Sequence, residues 1–136
     1  MTDVAEFLMK HYYSHYNGRE PNIVPTIEQL EGGIDVAEKA GIIEVVREGN
    51  KITACALFVT LTDETYKNID KLNIRDVEVI KAMLPERGHN VHFLLLASLN
   101  PKEIVPGYKR IAKRLGAKTV SWYSPDFSRV HKKRMV

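Results

Sequence analysis

Asn90-Val91-His92-Phe93-Leu94-Leu95-Leu96-Ala97 is the stretch on which the fold turns, a short apolar run held between Gly88 and Asn100-Pro101. A run of that length, bounded by turn residues, reads as a strand buried on both faces, as the strands of parallel sheets are. Downstream, Pro101 and Pro106 suit a first helical turn, and Ile104, Tyr108, Ile111, Ala112 and Leu115 recur at helical spacing until Gly116 ends the pattern. Thr119-Val120-Ser121-Trp122-Tyr123 is β-branched and aromatic, with Ser124-Pro125-Asp126 as a turn behind it, and predicts a second strand. Strand, helix and strand make a crossover unit whose two strands are expected to be parallel neighbours. The glycine-rich phosphate loop that commonly opens such a helix is missing.

Working upstream, Asp63 to Leu84 is mostly polar. Tyr66, Ile69, Leu72, Ile74, Val77, Ile80 and Met83 are spaced helically, and Asn73 is expected to separate two short helices. Ile42 to Arg47 and Lys51 to Val59 flank Glu48-Gly49-Asn50, the signature of an antiparallel hairpin. A helix is predicted from Thr26 to a stop at Gly41, with the Gly32-Gly33 pair as a point where it could split. Another opens the chain from Asp3 to Tyr16, followed by a break from Gly18 to Pro25. This order predicts a mixed α/β fold, with an antiparallel start, a parallel crossover and a tail strand.

At 136 residues the chain suits one domain spanning residues 1–136, able to bury roughly two-thirds of its unfolded surface. No apolar run approaches the ~20 residues of a membrane span, and no basic-then-apolar leader opens the chain, so a cytoplasmic protein without a membrane partner is expected. The single cysteine, Cys55, sits in the second hairpin strand and reads as packing. The formal charge of +3 conceals a segregation: residues 101–136 hold ten Lys or Arg against Glu103 and Asp126, whereas the first hundred residues are net acidic. Such a basic third attracts phosphates, nucleic acid or an acidic partner; a solvated helix face with a solubilising tail would have the same composition.

Two N-terminal helices, a hairpin turning through Arg47-Glu48-Gly49-Asn50-Lys51, a buried strand, a helix and a further strand together resemble the GNAT superfamily of N-acetyltransferases. The resemblance lies in element order and covers most of the chain. It implies an acyl-CoA N-acyltransferase-like fold, acetyl-CoA or another acyl-CoA as cofactor, and an amine as acyl acceptor. The family holds the cofactor pyrophosphate on backbone amides through a Gln/Arg-x-x-Gly-x-Gly/Ala segment at a helix start. Here Ile104-Val105-Pro106-Gly107-Tyr108-Lys109 aligns with it, keeping only Gly107, and Pro106 removes a donor. By that resemblance the cofactor-binding residues are Leu99, Asn100, Lys102, Gly107, Lys109 and Arg110. The family's usual helix after the last strand, which often carries a proton-donating tyrosine, has no counterpart in Tyr123 to Ser128. Eroded glycine segments also occur in divergent relatives among phage virion proteins and toxin-activating acyltransferases, and the compact ending looks similar to those.

An acyltransferase needs a base for the incoming amine and an acid for the departing thiolate. His89 and His92 at the buried strand are the candidate bases, and Tyr123 is the candidate acid, with Tyr108 a second phenol on the apolar stripe. Each histidine can equally be a hydrogen-bonded structural residue. His11 and His15 share a helix face, but neither histidine pair brings a third ligand, so no metal site is expected. Hydrolase elbows, phosphate loops and dinucleotide fingerprints are absent. The alternative function is a non-catalytic binding or structural protein on the same fold, since Trp122, Tyr123, Phe127, Arg129, His131, Lys132, Lys133 and Arg134 interleave aromatic and basic groups. A cleft between the strands at Phe93 and Val120 favours the enzyme; a filled cleft under a continuous positive surface favours the binder.

Overall fold

A computed structural model describes residues 2–16, 25–72, 77–124 and 129–135. Its five strands form one mixed sheet in the order β1-β2-β3-β4-β5. They are β1 (Ile43–Glu48), β2 (Lys51–Leu61), β3 (Asn90–Ser98), β4 (Thr119–Tyr123) and β5 (Val130–Arg134). The helices are α1 (Thr2–His11), α2 (Ile27–Ala40), α3 (Asp63–Lys67), α4 (Val77–Met83) and α5 (Ile104–Arg114). β1 and β2 are antiparallel, β3 and β4 parallel, β4 and β5 antiparallel, which is the mixed α/β arrangement expected from the element order. The chain divides into two compact units, Met1–Leu57 with Leu96–Ile104, and Phe58–Leu95 with Val105–Val136.

In the first unit, α1 packs on α2, and Val4 and Leu8 of α1 and Leu30 and Ile34 of α2 are buried. Thr26 caps α2 in a reciprocal box: its hydroxyl accepts from the Gln29 amide while Gln29 Oε1 accepts from the Thr26 amide. Gly41 closes the helix with a φ of 70°, a left-handed conformation cheap only for glycine. With both ends fixed, α2 runs unbroken through Gly32-Gly33, which are exposed and where an added Cβ would meet open space. The β1–β2 ladder slips once, since Val46 pairs Ala54 and Arg47 pairs Ile52, leaving Thr53 as an extra residue. The Thr53 hydroxyl turns back to the Val46 carbonyl at 3.3 Å, and its own carbonyl accepts the Leu99 amide at 3.0 Å. Cys55 is buried, and desolvation pushes its thiol up to about 12, as suits a packing residue.

In the second unit, Val59, Leu61, Ile69 and Met83 make one core cluster, joined by Tyr66, Ile80, Leu94 and Val130. The break expected at Asn73 lies outside the described residues, as do residues 17–24, most of the expected Gly18–Pro25 break, and residues 125–128, Phe127 among them. Chain entry to β3 is tight: a Cβ at Gly88 would overlap the Leu61 carbonyl at the end of β2. Asn90 then anchors the strand start, its side-chain amide donating to the Leu61 carbonyl at 3.0 Å and to Asp63 Oδ1 at 2.9 Å. Thr119, opposite Asn90 in the ladder, donates its hydroxyl to Asn90 Oδ1 at 2.7 Å.

Candidate functional site

Side chains alternate across a strand, so β3 and β4 each present two sets. The parallel ladder comprises Asn90↔Thr119, Val91↔Val120 and His92↔Ser121 and ends there, although β4 runs on to Tyr123. His92 and Ser121 are therefore the last paired residues on their face, and Tyr123 follows two positions along on the same face. His92 Nδ1 lies 2.6 Å from Ser121 Oγ, and Nε2 lies 2.5 Å from the Tyr123 hydroxyl. The imidazole meets the phenol ring edge-on at 88°. His92 and Ser121 are both fully buried, while Tyr123 is half-buried.

Burial sets the protonation states. Desolvation depresses His92 to about 3, assisted by the nearby positive charge of Lys132 and opposed by Asp70. The imidazole is neutral at physiological pH. Burial likewise raises Tyr123 above the ordinary phenol value, so it keeps its proton. A neutral imidazole donates through one nitrogen and accepts through the other, which gives the Ser121–His92–Tyr123 chain two self-consistent proton orders. Either order leaves His92 a weak base and Tyr123 a protonated phenol.

His89, the other candidate base, is exposed at the entrance to β3, where its carbonyl accepts the Lys118 amide at 2.6 Å. Nearby Asp63 has its carboxyl held low first by the Asn90 hydrogen bond and then by Lys118. Ser121 and Asn90 were not singled out as site residues from the sequence. Period-2 alternation shows that Ser121 and Tyr123 share a face, but only the parallel register places that face beside His92.

The residues expected to meet a cofactor fall in separate surroundings. Leu99, Asn100 and Lys102 lie in the first unit, and their amides are already engaged. Leu99 donates to the Thr53 carbonyl, Asn100 to Ser98 Oγ at 3.3 Å, and Lys102 to Asn100 Oδ1 at 3.1 Å. Pro101 has no amide proton, so a pyrophosphate finds no open backbone donor between Leu99 and Lys102. Gly107 is buried, and Arg110 is exposed. Lys109 faces Lys133, whose charge and hydrogen bond, with a smaller desolvation effect, lower its ammonium below the usual lysine value. Tyr108 is buried against Phe93 and Trp122, a core position. His11, half-buried on α1, lines an open groove of about 400 Å³ in the first unit with Asp3, Glu6, Phe7, Lys10 and Leu99. Acidic and basic side chains mix along that groove, so it presents no single ligand chemistry.

Among the described residues no group of three metal-ligating side chains comes together, and no helix is long and apolar enough to cross a membrane. No family model, curated protein or solved structure matches the chain.

Proposed function

We propose that the chain is an acyl-coenzyme A dependent N-acyltransferase of GNAT-like fold, in which Tyr123 is the general acid and His92 its positioning partner. The observation that carries this reading is the Tyr123–His92 hydrogen bond at the point where the parallel ladder ends. Ligand sites of open α/β sheets commonly lie outside the carboxyl ends of the strands, and Tyr123 is the last residue of β4. An acyl-coenzyme A donor supplies the thioester. Tyr123 holds the proton that a departing thiolate needs, and regains one from the acceptor nitrogen once the amide has formed. His92, kept neutral, orients the phenol by donating its Nε2–H to the phenol oxygen, which leaves the Tyr123 proton for the thiolate, and does not act as base. Cofactor phosphates would rest on side-chain charge along α5, Arg110 foremost, because the Leu99–Lys102 amides are taken.

Those taken amides favour a second reading, a non-catalytic binding protein on the same scaffold. Calorimetric titration with acetyl-coenzyme A, paired with thiol release in the presence of a panel of primary amines, separates the two. The enzyme reading expects saturable binding, and at least a tenfold fall in kcat for Tyr123→Phe in protein that thermal melts show to be folded. No binding at millimolar acetyl-coenzyme A would overturn it in favour of the binder.

A further inference from the structure

β5 carries its charges on opposite faces of the sheet, and among the described residues only Lys132 meets a carboxylate. Lys132 reaches Asp70 at 3.1 Å and lies 5.2 Å from the centre of the Tyr66 ring, on the side where Val130 joins the Met83 cluster. The fold thus supplies an acid and an aromatic face where a β5 lysine is to be held. His131 and Lys133 point to the other side, toward α5, and there Lys133 meets another lysine, Lys109. Among the described residues no carboxylate is recorded against either of these ammonium groups. Two like charges brought together by a helix and a strand repel, and an oxyanion placed between them converts that repulsion into two charge-assisted hydrogen bonds.

Rings extend beside the pair. Phe93 packs on Tyr108 at 4.8 Å between centroids, Tyr108 stacks on Trp122 at 5.3 Å and 18°, and Trp122 stacks on His131 at 5.6 Å and 27°. Tyr108 and Trp122 are buried, so among the described residues the column ends on half-buried His131, two residues from Lys133. A planar heterocycle can continue a column that ends in this way, and an anion can sit on the lysines next to it. Planar base and phosphate are the two halves of a nucleotide. Exposed Lys113 lies one helical turn beyond Lys109, about 6 Å along α5, which carries positive charge past a single unit. Duplexes hide the faces of their bases, whereas single strands offer them.

We propose that His131, Lys133 and Lys109 form a binding site for single-stranded nucleic acid, with one base stacked on His131 and its phosphate held between the two lysines. This site needs no thioester and stands independently of the acyl-transfer reading.

Trp122 is the only tryptophan, so its fluorescence reports directly on the column. The protein is titrated at low salt with a single-stranded oligonucleotide, its duplex, inorganic polyphosphate, poly-glutamate and phosphatidylserine vesicles, in wild type and in Tyr123→Phe. The single strand is expected to bind both proteins and change Trp122 emission, with log K falling against log salt by about 0.7 per phosphate contacted. Lys133→Glu and Lys109→Glu each weaken it at least tenfold, while Lys132→Glu changes it less than threefold. His131→Ala weakens it about 5- to 150-fold, the range seen when a stacking ring is removed, and leaves polyphosphate binding unchanged; His131→Tyr restores it. Thermal melts confirm that each variant is folded. Equal binding of duplex, poly-glutamate or vesicles overturns the assignment, as does indifference to Lys133→Glu or no binding of the single strand at low salt.

Discussion

Thr119, Ser121 and half-buried Tyr123 on one face of β4, and Val120 and Trp122 on the other, are buried in different company. The first set meets hydrogen-bonding partners: Thr119 meets Asn90, and Ser121 and Tyr123 meet His92. The second lies under α5 in a column of rings. Five residues of one strand thus serve a directional network on one side and close packing on the other. Packing loses in proportion to the volume removed. A buried network loses whenever one partner is left unmatched.

The sharpest break is on the packed face. Phe93, 1% exposed and in contact with Phe58 and Tyr108, should cost about 3–5 kcal/mol when changed to Ala, measured by denaturant unfolding. On the network face, Asn90→Ala removes few atoms yet strands the Thr119 hydroxyl and the Leu61 carbonyl, and about 1–3 kcal/mol of loss is expected in the same measurement.

Acid separates the faces in another way. His92 is depressed to about 3 in the folded protein against 6.5 when free, so between those values the unfolded chain binds more protons. Stability from this group is complete above pH 6.5 and is lost as pH falls toward 3, with a slope of up to about 1.4 kcal/mol per pH unit. Urea unfolding of wild type and His92→Gln across pH 7 to 4 should show the variant with the shallower dependence. Parallel curves would mean that His92 charges without unfolding the network. The smallest effect belongs to the rim. Asp70→Asn, which releases an exposed partner of Lys132, is expected to change stability by about 0–1 kcal/mol and to do less at high salt.

Most of the elements were legible because their signals are local. The apolar run at Asn90–Ala97, the helical stripe ending at Gly116 and the Gly49-Asn50 turn each announce a strand, helix or hairpin within a dozen residues. Gly32-Gly33 did not split α2, because the Thr26 box and the Gly41 cap lie outside the window in which the pair is weighed. Site geometry depends on pairings that no local pattern encodes. His92 and Ser121 are 29 residues apart and meet only through the parallel register. The Leu99 amide was expected to face a phosphate, and it was the bulge at Thr53, far away in sequence, that claimed it. Lys109 and Lys133 are each readable as surface charge, but their meeting requires both the helix and the tail strand to be in place.

Gly88 has a bearing on all of this that its small size conceals. Any side chain there would collide with the end of β2, so the chain can enter β3 in only one phase. Because strand side chains alternate, phase is parity: shifting the strand by one residue would turn His92 toward the rings and Phe93 toward Ser121. The division of labour between the two faces is therefore written at a position that belongs to neither. Inserting one residue between Gly88 and Asn90 would exchange the faces of β3 without altering a single residue of the strand.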